Sequence, residues 1–531
     1  MNLTSYHFLL FLLICVILYY VIPKKGQWIL LLAASYVFYA FNGLFYPLFL
    51  LAATALTYTT ALAIDRRKEK DAAWLKEHKS QLGREEKKAY KAASEKAQKR
   101  YMLAGLLACL LILGIFKYSN FVIENINGIL GLTGFGHTFQ TWDFLMPMGL
   151  SFYTFQSIGY LLDVYLERGP VQKNFFKYML FVSFFPQLIQ GPISRYSEVA
   201  DSMFAEHRFQ WKQIKFGCER ILWGFFKKLV VADTIAPAVV CISQDPDSYR
   251  GAWVLVGIVF YAVQLYADFS GGIEVTIGTA QLFGIYLPEN FIRPFFTKNI
   301  AEFWRCWHIT MGTWFRDYIF YPMSISDGMM NLTKKCKEKL GKGAAKRVPV
   351  YLATMVTWLA TGIWHGASWN FVIWGVLNGV VILISQELEP CYQWFHRKFP
   401  KLVASKGYDL FQILRTFLLM GCLRMLDCYR DAAATFRMFV SMFTDFHITS
   451  LTAGKFLELG VTGVQYATVG AGCVLMLLVS LAGIRGSVRE KLEEKPFIVR
   501  YLLLTGLLVS VILFGVYGYG YDSTQFIYNQ F

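Results

Sequence analysis

Apolar runs long enough to enter a lipid bilayer recur from one end of this chain to the other, and they limit it to folds that hide every backbone amide from hydrocarbon. Such runs include Phe8–Ile22, Trp28–Ala40, Leu44–Ile64, Met102–Phe116, Ile221–Ile242, Trp253–Tyr266, Val350–Ile363, Phe371–Ile384, Phe411–Cys422, Val461–Leu481 and Tyr501–Tyr517. About 20 apolar residues cross about 30 Å of hydrocarbon as a helix. In lipid only helices and closed barrels satisfy their own backbones. Of the 531 residues, 55% are hydrophobic and 17% charged, whereas an average soluble domain carries about 25% charged residues. The runs therefore predict an all-α polytopic membrane protein.

The formal net charge is +16, but it is not spread as a nucleic-acid-binding surface would require. Between Asp65 and Arg100 there are 13 Lys/Arg against 7 Asp/Glu, and between Lys334 and Arg347 there are 7 against 1. The two surpluses of six make up 12 of the 16 charges. Short basic loops beside apolar runs mark the cytoplasmic side and suit contact with anionic headgroups. Phe8–Ile22 lacks a basic leader and a small-residue cleavage site and is followed by Lys24-Lys25, so it reads as a retained helix. With the N-terminus outside, three crossings put segment 65–100 in the cytoplasm, in agreement with its charge. Its Lys/Glu/Ala-rich composition predicts a solvated helical pair. The ten cysteines are scattered singly, without CxxC pairs or Cys/His clusters, so no disulfide framework and no metal site is expected.

Three regions follow: N-terminal spans over 1–145 with the basic segment 65–100, a core over 146–385, and C-terminal spans over 386–531. The core is apolar yet studded with breakers and polar residues, among them Pro147, Gly149, Gln156, Pro186, Gln187, Gly191, Pro192, Asp268, Ser270, Gly271 and Gly272. Broken backbone at membrane depth must be buried in protein or line a wet cavity, so short or re-entrant helices around a central pocket are expected. No internal repeat stands out, which weighs against an inverted-repeat transporter.

Of the eight histidines, His78 lies in a charged segment, and His7, His137, His207, His396 and His447 have ordinary polar or boundary neighbours. His308 and His365 stand among tryptophans in apolar sequence. If residues 302–318 form one helix, Trp304, His308, Met311 and Phe315 share a face. His365 ends a long apolar run between Gly362 and Gly366. Ionisable groups at membrane depth are expensive and face the protein interior or a solvated path. With no carboxylate nearby in sequence, a neutral imidazole, the form a general base requires, is expected at His365. Asp268 is the most suggestive carboxylate, either as a partner for Arg293, Arg305 or Arg316 or in a chemical role. There is no Gly-x-Ser-x-Gly elbow, Walker loop, dinucleotide fingerprint or zinc motif.

Six stretches occur in order: Phe184-Phe185-Pro186-Gln187-Leu188-Ile189-Gln190-Gly191-Pro192-Ile193, Asp268-Phe269-Ser270-Gly271, Phe283-Gly284-Ile285-Tyr286-Leu287-Pro288-Glu289-Asn290-Phe291, Glu302-Phe303-Trp304-Arg305-Cys306-Trp307-His308-Ile309, Trp314-Phe315-Arg316-Asp317-Tyr318 and Trp364-His365-Gly366-Ala367. Together they resemble the membrane-bound O-acyltransferase (MBOAT) family. The bacterial branch holding alginate and other polysaccharide O-acetyltransferases and the teichoic-acid D-alanyl transferase is the most similar. The resemblance is strong from Met146 to Gly379 and looser in the flanks. Cys306 stands where the family commonly has a second arginine, so a two-arginine role is not carried over. The C-terminal extension, ending Gln525-Phe526-Ile527-Tyr528-Asn529-Gln530-Phe531, is closer to the polysaccharide acetyltransferases.

The resemblance implies a ring of about 10–13 spanning or re-entrant helices around a funnel or tunnel. It implies His365 as the catalytic histidine and His308 as its support. Trp304, Arg305, Trp307, Arg316, Asp317, Asp268, Ser270, Asn290, Gln187 and Trp364 are the expected substrate- or tunnel-lining residues. No bound cofactor or metal is implied. Acetyl-CoA or another acyl thioester would be the cytoplasmic donor, and a cell-surface or exported polysaccharide the acceptor, with an extracytoplasmic acetyl-transferring partner protein. The implied location is the plasma membrane of a bacterium, with segments 65–100 and 334–347 cytoplasmic. D-alanyl transfer from a carrier protein to teichoic acid is the alternative chemistry, and a non-enzymatic transporter or scaffold the alternative class.

Overall fold

The computed structural model describes residues 3–133, 138–143 and 147–518; His137, Met146 and the closing Gln525–Phe531 stretch lie outside them. The described residues are helical throughout, and their only β-type pairing is an isolated antiparallel bridge between Phe291 and Trp307. Six helices are long and apolar enough to cross a membrane: Tyr46–Glu77, Arg84–Leu132, Ala252–Leu282, Trp369–Glu387, Gly463–Arg485 and Phe497–Phe514. The apolar helix Tyr6–Val21 is shorter. On this evidence the chain is a multi-pass membrane protein. Leucines such as Leu107 and Leu111 are more than 60% exposed, as suits side chains whose solvent is lipid.

The chain divides into two compact units, one made of residues 1–217 and 279–288 and the other of 218–278 and 289–531. In the first unit, Tyr46–Glu77 has 32 residues and Arg84–Leu132 has 49. At 1.5 Å per residue they run about 48 and 74 Å, well beyond the bilayer core. Their polar ends form the expected helical pair over 65–100. Buried Asp71 joins the pair, accepting hydrogen bonds from Arg67 Nε at 2.7 Å, from Tyr90 Oη at 3.0 Å and from Ser94 Oγ. Trp74 stacks on Tyr90 with ring centroids 4.1 Å apart. The proline- and glycine-rich stretch then folds as short pieces, Phe175–Ser183, Phe185–Leu188 and Tyr196–Phe204. Gly149 begins the buried Leu150–Tyr165 helix at φ +73°, where a Cβ would come within 2.2 Å of the Leu188 carbonyl oxygen.

In the second unit the basic segment 334–347 is not a loop. It belongs to the 39-residue helix Asp327–His365, which is broken at Gly341 with φ +87°. Segment 302–318 differs in the opposite sense. It is two short helices, Ile300–Cys306 and Ile309–Phe315, with His308 in the left-handed region at φ 46° between them. Trp304, His308, Met311 and Phe315 therefore share no single helical face, because residues 306–309 are taken into backbone pairing with Asn290–Ile292.

The Asp327–His365 and Trp369–Glu387 helices form an antiparallel hairpin whose backbones touch through glycines. A Cβ on Gly375 would lie 2.4 Å from the Trp358 carbonyl oxygen, and one on Gly362 would lie 2.5 Å from the Phe371 carbonyl oxygen. Backbone on both sides leaves nothing flexible to move aside. Replacing Gly375 with valine is expected to cost about 3 kcal/mol through overpacking, read as a lowered unfolding midpoint of the detergent-purified protein.

Candidate functional site

The breaks in the helices place the two histidines. His365 is the last residue of its helix, and Gly366 leaves it in an extended conformation. Gly366 is required by space, since a Cβ there would lie 2.2 Å from the Phe371 ring. His365 is buried, packed edge-on against Trp374 at 4.7 Å and against Trp364 at 5.1 Å between ring centroids. His308 is fully buried, edge-on to Phe269 at 4.8 Å and 6.0 Å from Trp364. The Trp364 indole therefore touches both imidazoles, and the structure brings the two predicted histidines to one place.

Asn290 holds the His308 ring. Its Oδ1 accepts from the Thr310 backbone N–H at 3.0 Å and from Thr310 Oγ1 at 3.0 Å, and it lies 3.2 Å from His308 Nδ1. A backbone N–H can only donate, so the atom it meets is the carboxamide oxygen, and His308 Nδ1 carries the hydrogen. In the neutral ring that leaves the lone pair on Nε2. The Ile309 N–H also donates to the Asn290 carbonyl at 3.0 Å. Trp307 joins this group through Phe291, 5.0 Å away between centroids.

Asp268 and Ser270 flank Phe269, the residue that touches His308, yet both face a buried ion network. Asp268 pairs with Lys228. Lys228 also reaches Asp233 at 2.8 Å. Lys227 Nζ reaches Ser270 Oγ at 3.3 Å and Glu274 at 3.2 Å, and Arg220 bridges Glu274 and Glu289 at 2.5 Å each. The two lysines enter this network from a π-helical turn, Phe226–Ala232, whose wider coil points consecutive residues inward. Arg293 instead donates to the Gly483 carbonyl at 2.9 Å.

Arg316 pairs with its neighbour Asp317 at 2.8 Å, and both Arg316 and Arg305 are exposed. Gln187 belongs to the first unit, where it is buried and accepts from Ser194 Oγ at 3.1 Å. Trp304 packs on Trp358 at 4.9 Å and on Trp374 at 5.6 Å.

Sequence reasoning passed over Trp374, Lys228 and the buried pair formed by Arg424 and Asp427. The signal for that pair was an arginine and an aspartate three apart in the apolar stretch Leu423-Arg424-Met425-Leu426-Asp427. Among the described residues no group of three or more His, Cys, Asp or Glu could hold a metal ion.

Two cavities adjoin the segment that carries His308. One of about 260 Å³ is lined by Lys227, Tyr266, Glu274, Glu289, Phe291 and Arg293 among others. The other, about 320 Å³, is lined by Lys298, Ser385, Gln386, His396, Tyr408 and Arg415 among others.

Two substitutions test what holds the His308 ring and what holds the ion network. Asn290→Ala removes the acceptor that Thr310 and His308 share and is expected to cost about 2 kcal/mol, with acyl transfer falling together with stability in detergent melts and in a transfer assay. Lys228→Met leaves Asp268 and Asp233 without their shared cation and is expected to cost about 3–5 kcal/mol. Adding Asp268→Leu should recover part of that loss in the same melts.

Residues 168–333 match the model of the MBOAT, membrane-bound O-acyltransferase family. The chain is 34% identical over 386 residues to a probable alginate O-acetylase, AlgI, of Azotobacter vinelandii, covering 71% of this chain and 67% of that one. It is 31% identical over 400 residues to the peptidoglycan O-acetyltransferase of Helicobacter pylori, covering 70% and 67%. To the teichoic acid D-alanyltransferase of Bacillus subtilis it is 26% identical over 275 residues, covering 51% and 65%. The expectation of an acyltransferase holds, and a non-enzymatic transporter or scaffold does not describe this chain. With two histidines buried among tryptophans at helix ends, the chain is an acyltransferase and belongs to the membrane-bound O-acyltransferase family.

Proposed function

We propose that this protein takes an acetyl group from a thioester, acetyl-CoA or a close equivalent, at the cytoplasmic face. It delivers that group to hydroxyls of a cell-surface or exported polysaccharide, directly or through an extracytoplasmic partner protein. The observation that carries the reading is the placing of His365 and His308 on either side of Trp364 in a buried, aromatic site. Similarity to an alginate O-acetylase and to a peptidoglycan O-acetyltransferase supports a polysaccharide acceptor.

In this reading His365 is the general base. It removes the proton from an acceptor hydroxyl as the oxygen attacks the thioester carbonyl. The carbon–sulfur bond then breaks, and the thiolate takes the proton back from the imidazolium. General base catalysis contributes about 10²–10⁴-fold, and holding both substrates in one site adds through positioning. His308, with its lone pair on Nε2, would orient the acceptor or the first imidazole.

The donor would approach from the end where Glu387 meets Arg347 at 3.2 Å, beside the basic stretch assigned to the cytoplasm. The polar cavity lined by Lys298 and Arg415 opens among the helix ends on that side. The plasma membrane of a bacterium and an outward N-terminus complete the reading. D-alanyl transfer ranks second, since the match to a D-alanyltransferase is lower in identity and covers about half of this chain.

Proteoliposomes holding the purified protein, supplied with isotope-labelled acetyl-CoA and a hydroxylated glycan acceptor, test this. Wild type is expected to yield labelled acetyl esters by mass spectrometry, and His365→Ala none. Full transfer by His365→Ala would refute the assignment, and transfer only from a D-alanyl carrier would select the second chemistry.

A further inference from the structure

The His365 ring packs on the Trp374 indole, His308 follows Trp304 and Trp307 along one segment, and a single cation meets those three indoles. The guanidinium carbon of Arg424 lies 5.4 Å from the Trp304 ring, 5.1 Å from Trp307 and 5.1 Å from Trp374. Trp304 and Trp307 come from the segment that ends in His308, and the Trp374 ring packs edge-on to His365. Arg424 itself is on a third element, the Lys406–Tyr429 helix, and is about nine-tenths buried. Its Nη1 donates to Asp427 Oδ2 at 2.6 Å.

This pair is poorly built for stability. Arg424 Nη2 and Asp427 Oδ1 are both buried without a hydrogen-bond partner, which costs free energy. A buried ion pair is in any case often replaceable by apolar groups at no loss. Three aromatic faces surround the one guanidinium, each attracting it through the ring quadrupole. Those contacts run to the two walls that carry the imidazoles. A planar guanidinium can face several rings at once in a way an ammonium cannot.

We propose that Arg424 is a positioning residue. By clamping Trp304 and Trp307 on one side and Trp374 on the other, it fixes the separation of the His308 and His365 imidazoles. The inference rests on the reading of those histidines as the reacting pair.

The test compares wild type with Arg424→Lys and with the double variant Arg424→Met/Asp427→Leu, which removes both charges together and keeps the site apolar. Thermal melts report folding. Carbethoxylation of His308 and His365 by diethyl pyrocarbonate, followed by peptide mass spectrometry, reports each imidazole without reference to activity. Turnover and KM for labelled acetyl-CoA report the chemistry.

The expected result is a near-native melt, faster labelling at both histidines in the double variant, and a turnover lower by about 100-fold, the scale of a 1 Å misplacement. KM should hold, and Arg424→Lys should not restore the wild-type rate. Labelling at wild-type rates, or a loss confined to KM, overturns the clamp. If the arginine variants fail to fold, Trp307→Leu takes one aromatic face away from Arg424 and reads the same contact; unchanged labelling there overturns it too. A wild-type protein that transfers no acetyl group would refute the proposed chemistry, while the labelling would still decide the clamp.

Discussion

A break between two helices in a dry core exposes amides that need partners, and the site depends on how one asparagine meets that demand. Asn290 supplies its side-chain oxygen to Thr310 and His308 and its own carbonyl to Ile309. Asn290 thereby supplies an acceptor to donors on each side of the left-handed turn at His308. The Phe291–Trp307 bridge completes the local pairing. His308 is therefore fixed by backbone logic before any chemistry is asked of it.

The charge buried nearby follows a different rule. Lys228 answers Asp268 and Asp233, while Lys227 and Arg220 answer Glu274 and Arg220 also reaches the exposed Glu289. Desolvating so many ions is tolerable only when each has a counter-charge. The π-helical turn is what lets two consecutive lysines serve separate acids. Asp268 and Ser270 thus reach the site through Phe269, the residue between them, and their own polar atoms belong to the ion network.

Much of this was legible from residue order. The apolar runs gave the membrane class, the basic stretch 65–100 gave its helical pair, and a histidine beside a glycine at the end of an apolar run singled out His365, which the structure buries against Trp364 and Trp374. What stayed hidden was non-local. Helical periodicity put Trp304, His308, Met311 and Phe315 on one face because it cannot see a strand-like partner at Asn290–Ile292. The nearest arginines in motif order suggested partners for Asp268, whereas the true partner sits 40 positions away on a turn that ordinary helical spacing does not describe. Arg424 lay outside every motif considered. Its meaning comes from three tryptophans that are distant in sequence.

The helical pair over 65–100 has a reach that bears on what it can sense. From Asp65 to Glu77 the first arm rises about 20 Å past the last apolar residue. At physiological salt the Debye length is about 8 Å. The lysines at the base of the pair feel the headgroup charge, while those near the turn at 78–83 are screened from it and respond to whatever macromolecule approaches through solution. A rod stiffened by Asp71 and by the Trp74–Tyr90 stack carries its charge at a fixed height, as a mast does, and not as a tether swept over the lipid.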